Sequence, residues 1–216
     1  MNLIFGPALS AQTLSLIQAR HNVSPRRLGA PGPSTQALRA IVDAASAAPD
    51  HGLLRPWRFV IVPQAKREKL AEIFALALKD RDPDATAEQL ESAREKAFRA
   101  PFLMLAIARL TNRDSALPAA IGRGAQHPES TQGDISDTER LLSLRCAIQN
   151  MLLVAQAAGF GTGLTSGQAM ASSRLRDLFQ LTANEQAVCW INMGTVMKHK
   201  PHRLRSASSD YVSQLS

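Results

Sequence analysis

Three polar stretches hold the residues of this chain best suited to chemistry. The first, "RHNVSPRR" (Arg20–Arg27), gathers three arginines, a histidine and an asparagine with no acid among them. The second is the tail "TVMKHKPHRLR" (Thr195–Arg205), with Lys198, Lys200, Arg203 and Arg205. Planar guanidinium forks match the oxygens of a phosphate. Two such clusters, one near each end of the chain, could close on one phosphate; either alone also reads as a solvated basic face. The third is "GFGTGLTSG" (Gly159–Gly167), whose glycines let a backbone approach a flat ligand and donate N–H groups to it. It is not a dinucleotide fingerprint, because Gly159-Phe160-Gly161 follows a helix rather than a strand. Taken by itself it reads as a turn.

A further stretch, "APDHGLLRPW" (Ala48–Trp57), is over-equipped for a connector. Pro56 and Trp57 read as packing at the start of a strand, and Asp50 as a cap or a partner of Arg55. No nucleophile–base pairing accompanies these stretches: no serine sits on a nucleophile elbow, and there are no paired carboxylates or HExxH helix. Cys146 and Cys189 lie in apolar segments with no metal-ligand spacing, as two buried thiols would. The chain thus lacks a strong acid–base centre of its own, and if it is an enzyme, a cofactor brings the reactivity.

The elements that must position these residues follow from periodicity and punctuation. Helices are expected over Ala8–Ala19, from a Ser34 cap through the face Leu38, Ile41, Val42 and Ala45, over Gln64–Lys79, over Ala87–Phe98 and over Thr138–Ala158. Gly159 takes the place after the last helix, and Ser172 or Ser173 caps a short one through Phe179. Strands are expected at Trp57–Val62, Phe102–Ala108 and Ala187–Gly194; the second is a continuous apolar run, as in a strand buried on both faces. Thr111–Asp137 is polar, aperiodic and long, in the manner of a lid, a binding loop or a floppy insertion. The whole reads as one layered domain, residues 1–216, with helices on a sheet.

The formal charge of +7 favours anionic partners. The basic residues are nevertheless scattered and not interleaved with aromatics, so nucleic acid is not the expected partner. The longest apolar run, Phe102–Ala108, is too short to span a bilayer. "MNLIFGPALSAQ" lacks the basic and apolar regions of a signal peptide, and a cytoplasmic location is expected.

Four motifs in order point to a family. They are "ARHN" (Ala19–Asn22), "APDHGLLRPWRFVIV" (Ala48–Val62), "QNMLLVAQAAGFGTG" (Gln149–Gly163), and "INMGTV" (Ile191–Val196) followed by "KPHR" (Lys200–Arg203). With these the chain resembles the FMN-dependent nitroreductase family, most of all its short single-domain branch of NAD(P)H nitroreductases, over nearly its whole length. The resemblance implies an α+β fold, a mixed sheet flanked by helices, in an intertwined homodimer with FMN at the interface. It implies ping-pong transfer of hydride from NADH or NADPH, through flavin N5, to a small oxidant such as a nitroaromatic or quinone. No side chain is then catalytic, because the flavin carries the chemistry.

The resemblance also places residues. Arg20 and Asn22 fall on phosphate-binding positions and Arg203 on the late basic one; His21 stands where the family has an arginine. Pro49, Asp50 and His51 fall on the loop that the partner subunit lends to the flavin. Leu164, Thr165 and Ser166 fall on the segment whose backbone lies beside the isoalloxazine and meets N5. Close relatives carry Trp and Arg at Leu164 and Thr165, and an arginine at Ala47, so the side-chain environment of the flavin does not transfer. Arg26 or Arg27 approaches the N1/O2 edge, and the 111–137 loop partly covers the substrate pocket. The competing reading is an FMN-binding carrier or sensor with little turnover.

Overall fold

The computed structural model describes residues 6–111, 135–200 and 205–215. In chain order the main elements are α1 (Pro7–Ala19), β1 (Leu28–Gly29), α2 (Thr35–Asp43), β2 (Trp57–Ile61), α3 (Arg67–Arg81), α4 (Ala87–Glu95), β3 (Phe102–Arg109), α5 (Asp137–Ala157), β4 (Gly161–Thr165), α6 (Ser173–Leu178) and β5 (Glu185–Val196). Local signals set most boundaries. Ser34 Oγ accepts from the Ala37 amide at the start of α2, and Thr86 and Ser136 close capping boxes on α4 and α5. Gly159 follows α5 with a left-handed φ of 85°, which glycine adopts without strain. Ser172 stands at the cap position of α6 but makes no side-chain cap bond.

β5 is the axis of the sheet. One edge pairs with β3, which pairs in turn with β2; β4 and β1 also pair with β5, and every one of these ladders is antiparallel. A parallel bridge between Asn22 and Thr162 makes the sheet mixed. Alternation along β3 splits the core into two layers. Met104, Ala106 and Ala108 face α2 and α5, while Leu103, Leu105 and Ile107 face α3, α4 and α6. This is why the Phe102–Ala108 run is apolar throughout: both of its faces are covered.

The expected turn at Gly159–Gly167 is corrected here, because Gly161–Thr165 is a strand in register with Trp190–Gly194. Glycine content signalled a turn, but pairing on both sides of β4 overrides that local preference. The 111–137 loop falls largely outside the described residues; at its ends, Thr111 N and Oγ1 both donate to Asp137 Oδ1, at 2.7 and 2.8 Å.

Two largely buried ionic devices brace the sheet, one against α3 and one between its own strands. Arg67, 2% exposed, donates to the carbonyls of Val62, Ala97, Ala100 and Pro101, which ties the start of α3 to the end of β2 and the approach to β3. Glu185 Oε1 and Oε2 accept from Arg58 Nε and Nη2 at 2.7 and 2.8 Å. The bonded Arg58 guanidinium holds the Glu185 carboxyl below the usual carboxylate range, against a smaller opposing effect of burial. Because the folded value is depressed, this stabilisation is complete above about pH 4.3 and is lost as pH falls through the folded value. Glu185→Gln is expected to cost about 3 kcal/mol at neutral pH. Urea denaturation across pH should show that gap narrowing below pH ~4; a gap independent of pH would refute the assignment.

Candidate functional site

The site is built where the chain after α1 crosses the edge of the sheet. Val23 N donates to Thr162 O at 2.8 Å, and Leu164 N donates to Asn22 Oδ1 at 2.8 Å, so residues 22–23 run alongside β4 as an extra strand. Gly163 permits this approach: a Cβ there would collide with the carbonyl oxygen of Val23. Its glycine thus serves contact with its own chain, not the approach of a ligand as the sequence suggested. On the other side, buried Asn192 donates through Nδ2 to Gly163 O at 3.0 Å and Thr165 Oγ1 at 3.1 Å. The end of β4 is therefore fixed from two directions.

The two basic clusters meet. Arg205 Nη2, from the tail, donates to Gln18 O and Arg20 O at 3.0 Å, capping the open carbonyls at the end of α1. Its charge then lies beside the Arg20 guanidinium. Burial, and secondarily Arg205, lowers the Arg20 pKa. No carboxylate pairs with Arg20 or Arg205 among the described residues. Two cations held together without an acid are suited to a dianion. Arg203 lies outside the described residues; among those described, Arg205, which the sequence placed only in the general cluster, reaches α1.

A cavity of about 700 Å³ opens beside the end of β4. Thr165, Ser166 and Gly167 form one rim, and Phe74, Leu103 and Trp190 supply apolar lining, with the Phe74 and Trp190 rings edge-to-face at 5.6 Å. Arg26, Arg81, Lys96 and Arg99 line it too, and no carboxylate does among the described residues. The two neighbouring arginines diverge: Arg26 lines the cavity, whereas Arg27 Nη1 donates to Lys198 O at 2.9 Å. A second cavity of about 360 Å³ shares Thr165 and Ser166 but lies towards α5, with Arg145, Gln149, Leu164 and Cys189 in its wall. Burial pushes the Cys189 thiol up to about 11, so it stays protonated and is no nucleophile.

Pro49, Asp50 and His51 line neither cavity. Asp50 Oδ2 accepts from the Arg55 amide at 2.6 Å and closes a loop in which Gly52, Leu53 and Arg55 all have positive φ. A left-handed Leu and Arg are strained, and such strain persists only where the surroundings enforce it. The loop presents His51 and Leu53 to solvent, and His51 Nδ1 lies 3.5 Å from Glu139 Oε1 at the start of α5. Of the other expected positions, His21 is half-buried next to Asn22, and Ser166 is exposed. Ser24, Arg81, Lys96 and Arg99 in the larger cavity, and Asn192 behind β4, are not among the positions expected from the sequence. The cations of α3 and the α4–β3 connection carry no sequence signal that separates them from an ordinary solvated face.

A mixed sheet between helical layers, with a cation-lined cavity at its edge, defines an α+β protein. Residues 17–195 match the model of the nitroreductase family, and the chain belongs to that family. It is 28% identical over 203 residues to a Haemophilus influenzae protein provisionally named an NAD(P)H nitroreductase, covering 94% of this chain and 98% of that one. The fold is similar to the nitroreductase-like family protein from Bacillus cereus, with a TM-score of 0.71 and 17% identity over 100% of this chain and 98% of that one. It is also similar to the FMN-dependent nitroreductase NfnB from Mycobacterium smegmatis, solved in complex with NADPH, with a TM-score of 0.68 and 15% identity over 96% of this chain and 100% of that one. No helix among the described residues is long and apolar enough to cross a membrane.

Proposed function

We propose that this chain is one FMN-binding domain and a cytoplasmic, homodimeric oxidoreductase. The observation that carries the reading is the meeting of Arg20 and Arg205 beside a strand whose end opens on the cation-lined cavity. When bound, FMN supplies an electron sink that takes hydride from NADH or NADPH and passes it to a small oxidant such as a nitroaromatic or quinone, in ping-pong order.

The residues fit that group. Arg20 and Arg205 hold the phosphate, with His21 and Arg203 as further donors; the Asn22 oxygen is engaged by Leu164 N, which leaves its Nδ2 as the donor. Because Leu164 N is also engaged and Thr165 is still paired with Trp190, the amides offered to the isoalloxazine come from Ser166 and Gly167, past the last β4–β5 pair. Arg26 places positive charge at the flavin's N1/O2 edge, where it favours the reduced, anionic form. Pro49, Asp50 and His51 reach the flavin of the partner, and the loop's enforced shape and exposure support that role.

Unpartnered apolar surface supports the dimer. α1 has no buried residue and exposes Leu9, Leu14 and Ile17, while the tail exposes Tyr211, Val212 and Leu215. Such surface marks an interface. Two free cysteines fit a reducing compartment.

Titration of apoprotein with FMN and with riboflavin tests the phosphate clamp. FMN is expected to bind at least ~100-fold more tightly, since two charge-assisted contacts distinguish the two ligands. Equal affinities would remove the clamp and with it the observation on which the reading rests.

A further inference from the structure

Four of the described cations line the larger cavity, and a flavin edge held by Arg26 leaves Arg81, Lys96 and Arg99 without a role. Arg81 ends α3, and Lys96 and Arg99 lie just after α4. They are close enough to repel one another. Burial lowers the Lys96 pKa first, and Arg99 and Arg81 lower it further; Arg99 is lowered by burial and then by Arg26. Arg99 Nε is buried with no hydrogen-bond partner, although its Nη2 reaches Ser92 O at 3.4 Å. Such a cluster costs stability unless an anion occupies it. The rest of the wall is apolar and aromatic, through Phe74, Leu78, Met170 and Trp190. At about 700 Å³ the cavity is of the size that holds drug-sized ligands, typically about 300–1,000 Å³.

We propose that Arg81, Lys96 and Arg99 form a subsite for the anionic group of a substrate that meets the flavin: a carboxylate on an aromatic acceptor, or the additional phosphate that distinguishes NADPH from NADH. The inference rests on the flavin reading above and deepens it, since it turns the cavity into a device that selects charged over neutral substrates. Arg81 and Lys96 are exposed on the wall and are not assigned to the flavin. The subsite therefore acts on substrate affinity, and on KM rather than kcat.

The test uses wild-type protein and an Arg81→Gln/Lys96→Gln double variant, both as purified and matched for circular dichroism and flavin absorbance. Two pairs of ligands are titrated by calorimetry: 4-nitrobenzoate against 4-nitrobenzamide, and NADP⁺ against NAD⁺. Wild type is expected to bind the anionic or more anionic member of at least one pair about tenfold more tightly. The double variant should bind both members of that pair alike, with a matching rise in KM and an unchanged kcat. A gap in the nitro pair assigns a carboxylate-bearing acceptor, and a gap in the nicotinamide pair assigns the phosphate. Equal affinities within both pairs in wild type, or a gap that survives in the variant, would overturn the subsite. A wild-type protein that shows the gap without retaining flavin would sink the flavin reading and leave the subsite standing.

Discussion

Arg20→Ala is expected to weaken FMN binding by about 100-fold, because a charge-assisted contact to the phosphate dianion and half of the local positive charge are removed together. Folding should change little. Arg20 is half-buried, its guanidinium has no carboxylate partner among the described residues, and Arg205 contacts its backbone rather than its side chain. Arg205→Ala differs in kind. It uncovers the Gln18 and Arg20 carbonyls as well as removing a charge, so both the melting temperature and the FMN affinity should fall. If the two guanidiniums grip one phosphate, the effects on FMN affinity will be less than additive in a double-mutant cycle. Riboflavin affinity, by contrast, should be indifferent to either change. Fluorescence titration of the four proteins with both ligands decides the matter; an Arg20→Ala protein that binds FMN as wild type does would place the phosphate elsewhere.

Gly163→Ala is expected to be the most damaging single methyl group at the site, costing about 3 kcal/mol and the ability to retain flavin. The added Cβ meets the Val23 carbonyl oxygen, and neither side can yield easily. Val23 N is bonded to Thr162 O in the same crossing, and Gly163 O accepts from buried Asn192. Relief of the collision separates residues 22–23 from β4 and breaks the Asn22–Leu164 bond, which decouples the phosphate side of the site from the cavity side. Gly167→Ala provides the control. A Cβ there meets nothing within 4 Å, so stability should stay within about 0.5 kcal/mol of wild type. Urea denaturation of the two variants, read beside their flavin content, separates a local collision from a general intolerance of this segment.

The elements legible in the sequence are those whose burial pattern is strong. β3 reads correctly because both faces are covered, and α5 because apolar residues occupy more than one of its sides as it packs across the sheet. The caps at Ser34 and Gly159 read correctly because their chemistry is local. β4 did not, since Gly161 and Gly163 weaken the strand signal. Those glycines are required by partners distant in sequence: Val196 and Leu28 crowd the first, and Val23 crowds the second. The meeting of the two basic clusters was legible from charge alone, but the contact of Arg205 with the end of α1 depends on the path of the chain. The division between Arg26 and Arg27 was hidden for a similar reason. It follows from a tight 3-10 turn at Pro25–Arg27, which sends adjacent side chains to a cavity and to the Lys198 carbonyl. The cations at Arg81, Lys96 and Arg99 had no signature, because only the packing of α3 and α4 on the sheet brings them to one wall.

On the proposed function, this fold holds FMN in a form that a nicotinamide can reduce. Anaerobic titration of the purified protein, followed at the oxidised flavin band near ~450 nm, tests it most directly. The expected result is a yellow protein whose band bleaches with NADH or NADPH and returns when a nitroaromatic or quinone is added. A protein that takes up no FMN would contradict the site, and a bound flavin that neither nicotinamide bleaches would contradict the enzyme and leave a flavin carrier or sensor.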